Sequence, residues 1–192
     1  MGNNMQIACL GWGSLVWDPR ELPIRGIWFE DGPFLPIEYA RQSKDGRITL
    51  VIVEGRTLVR SLWTLLNCND LTGAKKALAD REGIKEDDIP KDIGFWPSDD
   101  KKSGKCTDSI PLWAKSHSLD AVVWTNLPPR FDGINGKIPT VDEILNYFNS
   151  SLMPIEKRRL AEEYITKTPP QIDTEYRREM ILRLNWITRR TC

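Results

Sequence analysis

The feature that most constrains the fold is an apolar run at residues 7–10 that leads directly into a glycine-rich loop at residues 11–15. Four consecutive apolar residues favour a strand that is covered on both faces. The two glycines of the loop permit backbone angles and close approaches that a side chain would block. Between them Trp12 offers a rigid wall, and Ser14 offers a hydroxyl. The loop fits either a small-molecule pocket or a tight glycine turn without a ligand.

Composition places the chain among globular proteins of ordinary size. Its 192 residues are 40% hydrophobic and 28% charged, which predicts a single domain with a sizeable core. Lysine plus arginine equals aspartate plus glutamate at 27 each, so charge gives no reason to expect nucleic acid or an anionic membrane as a partner. The eight tryptophans are spread along the chain and are not interleaved with a basic groove.

The hydrophobic segments and the cysteines indicate the cellular compartment expected for the protein. No apolar run approaches the roughly 20 residues that span a bilayer, and the first residues show no signal-peptide pattern. The four cysteines are scattered without a C-x-x-C pair, which favours a reduced, cytoplasmic protein. We therefore expect no membrane partner.

The pattern of apolar residues predicts an α+β fold. Strands are expected at residues 7–10, 24–29, 34–42, 47–53, 58–66, 93–96, 110–113 and 119–125. Helices are expected at residues 69–83 and onward from Thr140, Pro154 and Asp173 or Thr174. These elements predict a curled, mixed or antiparallel sheet, small and barrel-like, with helices packed outside it.

Two stretches carry more specific expectations. An Asp-Gly turn at residues 45–46 joins the third and fourth strands into a hairpin. The second strand of that hairpin is apolar on both faces, which is typical of a strand in the middle of a sheet. Residues 85–118 are charged and interrupted by proline and glycine, which predicts an irregular insert with a mobile loop at 99–105.

Several common chemistries find no support in the sequence. His117 is the single histidine, lies in a polar stretch without a G-x-S-x-G motif, and is interpreted as solvated. One histidine and dispersed cysteines argue against zinc. Residues 11–16 end in Val16 and do not match a dinucleotide fingerprint. We expect neither a metal nor a cofactor.

Two carboxylates remain as candidates. Glu38 lies mid-strand among apolar residues, three positions before Arg41. It is a polar group of a pocket, a buried partner of Arg41 or an exposed strand residue. Glu82 lies in the last turn of the helix predicted at 69–83, where the helix dipole disfavours negative charge. That position suits a group that exchanges protons near neutrality, and the alternative is a solvated surface glutamate.

The predicted pieces follow one another in a distinctive order. A strand ends in Gly-Trp-Gly-Ser-Leu, a hairpin carries Arg and Ser, a helix ends in Arg-Glu-Gly, and a Val-Val-Trp strand precedes C-terminal helices. This order resembles the gamma-glutamylcyclotransferase-like superfamily, and most closely its ChaC-type branch, which degrades glutathione. The resemblance runs from Ile7 to Tyr176.

The N-terminal loop is the specific part of the resemblance. The family's first strand ends in G-Y-G-S-L-(I/V)-W, and this chain differs at Trp12, which replaces the tyrosine. The segment that corresponds to this pattern is Gly11, Trp12, Gly13, Ser14, Leu15, Val16 and Trp17, and all of its residues except Trp12 match. The family's catalytic glutamate lies just past a helix in an Arg-Glu or Gln-Glu-Gly context, which matches Glu82.

The resemblance implies gamma-glutamyl cyclotransfer. The substrate's α-amine attacks its own side-chain amide and releases 5-oxoproline and an amine. Glu82 would be the general acid and base. The loop at residues 11–15 would bind the substrate's carboxylate or the oxyanion through backbone N–H groups. Arg41 corresponds to a family arginine and either binds an acidic group of the substrate or pairs with Glu38.

Two functions from different classes follow. The leading hypothesis is an enzyme that acts on a small-molecule substrate, a gamma-glutamyl amine or peptide. The alternative is a non-catalytic small-ligand-binding protein that keeps the same fold and pocket. Trp12 favours the alternative, because it lacks the hydroxyl that the family's tyrosine offers. A protein- or nucleic-acid-binding module that uses the tryptophans is a third hypothesis, and the neutral net charge argues against nucleic acid.

Overall fold

The computed structural model describes residues 5–97 and 108–186. Within these ranges the fold is α+β, with two mixed sheets and six α-helices. The strands are β1 (Ile7–Gly11), β2 (Ile24–Phe29), β3 (Phe34–Gln42), β4 (Ile48–Ile52), β5 (Leu58–Arg60), β6 (Leu62–Leu66), β7 (Ile93–Trp96), β8 (Ala121–Thr125), β9 (Arg130–Phe131) and β10 (Ile134–Asn135). The helices are α1 (Leu71–Glu82), α2 (Ile89–Asp92), α3 (Ser109–Ser116), α4 (Val141–Asn149), α5 (Ile155–Lys167) and α6 (Glu175–Arg183).

The described residues group into two compact units. Of the described residues, 5–35, 60–97 and 108–127 belong to unit 1, and 36–59 and 128–186 belong to unit 2. Each unit is therefore assembled from stretches that are separated in the sequence.

The sheet of unit 1 is centred on the first strand, with the order β2-β6-β1-β8-β7. Strand β1 runs antiparallel to β6 and parallel to β8. All five residues of β1 are buried, as predicted for a strand that is covered on both faces. Helix α1 covers this sheet, and its Ala74 and Leu78 share a core with Ile7 and Cys9.

Helix α1 is capped at both ends, by Asp70 and by Gly83. The Asp70 carboxylate accepts a hydrogen bond from the Gly73 amide at 2.7 Å, which satisfies a donor that would otherwise be unpaired. Gly83 ends the helix at φ 67°, a left-handed conformation that glycine adopts without strain. These caps fix Glu82 as the last residue of the helix.

The sheet of unit 2 has the order β10-β9-β3-β4, and β5 also pairs with β3. Strands β3 and β4 form the predicted hairpin, with Tyr39 opposite Leu50. A capping box opens α4, the helix expected onward from Thr140. The Glu143 amide donates to Thr140 Oγ1 at 3.2 Å, and Glu143 Oε2 accepts from the Thr140 amide at 2.8 Å. Helices α4, α5 and α6 confirm the helices predicted in the C-terminal part of the chain.

Residues 110–113 belong to helix α3, so the predicted strand there is wrong. Helix α3 buries Ile110 and Ala114, which are four residues apart, and leaves Leu112 77% exposed. A strand would place Ile110 and Leu112 on the same face. Pro111 lies in the first turn, where its missing N–H breaks no intrahelical hydrogen bond.

Residues 58–66 form two strands instead of the predicted one. The break lies at Ser61, which is fully buried. Its amide and its hydroxyl both donate to the carbonyl of Pro33, at 3.1 and 2.8 Å. This bend lets β5 pair with β3, while β6 joins β1 and β2 in the sheet of unit 1.

The sheets differ from the expected arrangement in three further ways. Strand β4 ends its sheet instead of lying in the middle. In the described part of residues 85–118, the predicted strand at 93–96 is present as β7, helices α2 and α3 were not predicted, and the loop expected at 99–105 lies outside the described residues. In the ranges that the structure describes, neither sheet closes into a barrel.

Candidate functional site

Strand β1 leads into the glycine-rich loop, which closes as a short helical turn. The Val16 amide donates to the Gly13 carbonyl at 2.9 Å, and the Asp18 amide donates to the Ser14 carbonyl at 2.8 Å. Among the described residues, the amides of Ser14 and Leu15 have no acceptor. Successive N–H groups at the start of a turn form a donor set that suits a carboxylate or an oxyanion.

Gly11, the last residue of β1, lies against the indole of Trp28. A Cβ atom at Gly11 would lie 2.6 Å from one carbon of the Trp28 ring and 3.2 Å from a methyl group of Val16. The close approach that the sequence predicts at this glycine is therefore made by the Trp28 side chain.

Glu82 lies at the C-terminal end of α1 in contact with its neighbour Arg81. Its side chain is 20% exposed, so it is neither sealed in the core nor fully solvated. Arg81 Nη1 lies 3.1 Å from Glu82 Oε1. Consecutive side chains of a helix point about 100° apart, so helix geometry alone does not bring these two together.

Arg81 connects Glu82 with the loop. Its side chain is only 4% exposed. Arg81 Nη2 donates to the Asp18 carbonyl at 2.6 Å and lies 3.5 Å from Ser14 Oγ, which is a long hydrogen bond. The candidate base and the candidate substrate loop therefore meet in unit 1 through one guanidinium group.

Cys9 of β1 lies near the same carboxylate. Burial raises the pKa of the Cys9 thiol, the negative charge of Glu82 raises it further, and the positive charge of Arg81 opposes both. The thiol donates weakly to the Leu10 carbonyl at 3.6 Å. A buried, neutral thiol is not a nucleophile, so Cys9 supplies an apolar wall near Glu82.

Glu38 lies in unit 2 and is only 2% exposed, which excludes the exposed-strand interpretation. Its carboxylate accepts hydrogen bonds from Thr174 Oγ1 at 2.5 Å, the Tyr39 amide at 2.9 Å and the Tyr176 amide at 3.3 Å. Burial raises the pKa of Glu38, and these hydrogen bonds oppose that effect. Because Thr174 caps α6, Glu38 holds the start of that helix on β3.

Arg41 also lies in unit 2. Its Nη1 donates to the Pro128 carbonyl at 2.6 Å, which joins β3 to the segment that leads into β9. The predicted site residues thus divide between the units. Residues 11–15 and Glu82 lie in unit 1, whereas Glu38 and Arg41 lie in unit 2.

His117 is packed among aromatic side chains and its side chain is 26% exposed, so it is only partly solvated. His117 Nε2 lies 3.2 Å from Asp31 Oδ2. The imidazole lies 4.8 Å from the Trp113 ring and 5.4 Å from the Trp63 ring, centroid to centroid. Trp63 Nε1 donates to Asp31 Oδ1 at 2.7 Å. The hydrogen bond from Trp63 and then that from His117 lower the pKa of Asp31.

The comparisons with known proteins give no match, so the candidate site is described from its geometry alone. No family model matches this chain, and no curated protein or solved structure matches it either. Among the residues that the structure describes, no group of three or more His, Cys, Asp or Glu side chains is placed to hold a metal ion. Nor does any helix in those parts of the chain have the length and apolar character needed to cross a membrane.

Sequence reasoning missed three neighbours of the predicted site, namely Cys9, Trp28 and Arg81. Arg81 carried a local signal, because it directly precedes the candidate glutamate, but nothing in the sequence shows that it is buried. Trp28 carried no signal, since its position over Gly11 depends on the pairing of β2 with β6 and of β6 with β1.

Proposed function

We propose that the protein is a gamma-glutamylcyclotransferase-like enzyme that releases 5-oxoproline from a gamma-glutamyl amine or peptide. The observation that carries the proposal is the connection from Glu82 through Arg81 to Ser14 and the Asp18 carbonyl. It brings the residue that matches the family's catalytic glutamate to the loop that matches the family's substrate loop. We include in the proposal that the fold is the one characteristic of that superfamily.

Glu82 moves the proton in this reaction. The substrate's α-ammonium has a pKa of about 8, so the free-energy cost of transferring one of its protons to a carboxylate is modest. The freed amine attacks the carbon of the side-chain amide, which closes the five-membered ring and leaves a tetrahedral oxyanion. Glu82 then returns the proton to the leaving nitrogen, and the oxyanion collapses to the ring carbonyl as the original amide C–N bond breaks. The ring nitrogen gives its extra proton to the departing amine, which leaves as an ammonium ion together with 5-oxoproline.

The loop stabilises the charge that develops. The unpaired amides of Ser14 and Leu15 offer hydrogen bonds to the oxyanion or to the substrate's α-carboxylate. Fixed backbone dipoles need no reorganisation during the reaction, and removal of one such donor typically costs about 10²- to 10³-fold in kcat.

Trp12 supports a second candidate, a small-ligand-binding protein without turnover. The residue is 4% exposed and presents an indole where the family has a phenol. An indole supplies an apolar wall and an N–H donor, but it accepts no hydrogen bond from a substrate. A ligand site therefore survives this replacement more readily than a reaction that needs the hydroxyl.

The two candidates are separated by assaying the purified protein for 5-oxoproline. Glutathione, gamma-glutamyl amino acids and gamma-glutamyl amines are each incubated with wild type, and 5-oxoproline is measured by mass spectrometry. Release from any of these compounds supports the enzyme. Calorimetric binding of the same compounds without release supports the binding protein and overturns the proposed reaction.

A further inference from the structure

We propose that Arg81 is a positioning residue that fixes the Glu82 carboxylate against the loop at residues 11–15. The inference rests on the proposed function, because it assigns Arg81 a role in the same reaction. Arg81 does not act on the substrate itself. It holds the base and the loop in one arrangement, so that the proton acceptor and the N–H donors face the same substrate.

The burial of Arg81 is the first support. Among the described residues of unit 1, it is the one buried side chain that carries a charge. A buried charge is costly unless it is paired and hydrogen-bonded. Arg81 pairs with the Glu82 carboxylate at 3.1 Å and donates to the Asp18 carbonyl at 2.6 Å, while its buried Nε has no hydrogen-bond partner among the described residues.

A second buried arginine shows what a structural arginine looks like in this protein. Arg177 is 5% exposed. It donates to the backbone carbonyls of Pro169 at 2.8 Å, Ile172 at 3.1 Å and Thr168 at 2.5 Å. Arg81 differs because one of its partners is a carboxylate that remains 20% exposed and therefore within reach of solutes.

The contacts that Arg81 makes require the two terminal nitrogens of a guanidinium group. Arg81 uses two different nitrogens, Nη1 toward Glu82 and Nη2 toward the Asp18 carbonyl and Ser14 Oγ. A lysine keeps the positive charge, but its single ammonium group on a flexible stem does not reproduce this planar fork. Arg81→Lys therefore tests the positioning role separately from the charge.

The test compares Arg81→Lys with the matched control Arg177→Lys, using kcat, KM and Tm for a substrate that wild type turns over. A misplacement of about 1 Å can cost about 10²-fold in rate. We expect Arg81→Lys to lower kcat about 10-fold and Arg81→Gln about 100-fold, with KM nearly unchanged. Arg177→Lys is expected to lower Tm and to leave kcat unchanged at a temperature where it is folded.

Two results overturn the inference. One is a kcat of wild-type size in folded Arg81→Lys and Arg81→Gln. The other is an equal loss of kcat in Arg81→Lys and Arg177→Lys, in proportion to their losses of Tm, because that pattern marks a purely structural arginine.

A double-mutant cycle of stability measurements requires no enzymatic activity, so it tests the role of Arg81 separately from the proposed function. Denaturant unfolding is measured for wild type, Arg81→Gln, Glu82→Gln and the double variant. If Arg81 holds Glu82, the double variant loses less stability than the sum of the single losses. Additive losses overturn the positioning role, whereas a wild type without turnover overturns the proposed function alone.

Discussion

Gly11 lies so close to Trp28 that a Cβ atom there would be 2.6 Å from the indole ring. The glycine at the end of β1 is therefore explained by the packing of a neighbouring strand. Trp28 in turn supports the backbone from which the loop at residues 11–15 departs. The glycine-rich loop thus begins from a point that the core itself fixes.

Gly11→Ala is expected to destabilise the fold by about 1–3 kcal/mol, because overpacking forces the Trp28 ring or the backbone to shift. The measurement is the urea midpoint. Gly73→Ala serves as the control, because its Cβ would meet nothing closer than Asp70 Oδ1 at 3.4 Å. That change in an exposed helical position is expected to be neutral or to stabilise by up to about 1 kcal/mol. Equal midpoints for wild type and Gly11→Ala would refute the packing explanation.

The fold was more predictable from the sequence than the site, and particular residues show why. The hairpin of β3 and β4 and the caps of α1 depend on local signals such as Asp-Gly, Asp70 and Gly83. The run 110–113 was misassigned because four apolar residues fit a strand or a helix equally well. What settled it was the burial of Ile110 with Ala114, which depends on tertiary packing.

The candidate site was less predictable than the fold, because it depends on contacts between residues that are distant in the sequence. The loop at residues 11–15 and Glu82 were predicted as site residues from a resemblance to a family, whereas Arg81, which contacts both Glu82 and Ser14, was not predicted. Arg81 is buried because α1 packs on β1 and brings its end to the Asp18 carbonyl. Contacts of that kind join residues more than 60 positions apart, and no local pattern encodes them.

Glu38→Gln is expected to remove part of the pH dependence of stability. Burial raises the pKa of Glu38 above its unfolded value, so the folded state holds this proton more tightly. Stability therefore falls as pH rises from the unfolded pKa of about 4.3 through the raised folded pKa. Urea midpoints measured from about pH 4 to about pH 8 should fall less steeply in Glu38→Gln than in wild type. A parallel pair of profiles would show that Glu38 ionises as it does in the unfolded chain.

Asp31→Asn is expected to act with the opposite sign, at acid pH. Hydrogen bonds from Trp63 and His117 lower the pKa of Asp31 below its unfolded value. The resulting stabilisation is present above an unfolded pKa of about 3.9 and disappears as pH falls through the lowered folded pKa. Because the carboxylate is 59% exposed, the effect is small and weakens in high salt. Melting curves between about pH 5 and about pH 2 should show a smaller acid loss in Asp31→Asn. An acid loss as large as that of wild type would contradict the assignment.

The most direct test of the central claim is 5-oxoproline release by Glu82→Gln beside wild type, with Glu86→Gln as the matched control. Glu86 is an exposed carboxylate four residues further along the chain. Loss of a general acid–base typically costs about 10²- to 10⁴-fold. We expect Glu82→Gln to lose that much turnover while it stays folded at the assay temperature and binds substrate, and Glu86→Gln to match wild type. Turnover of wild-type size in folded Glu82→Gln would contradict the assignment of Glu82 as the acid and base.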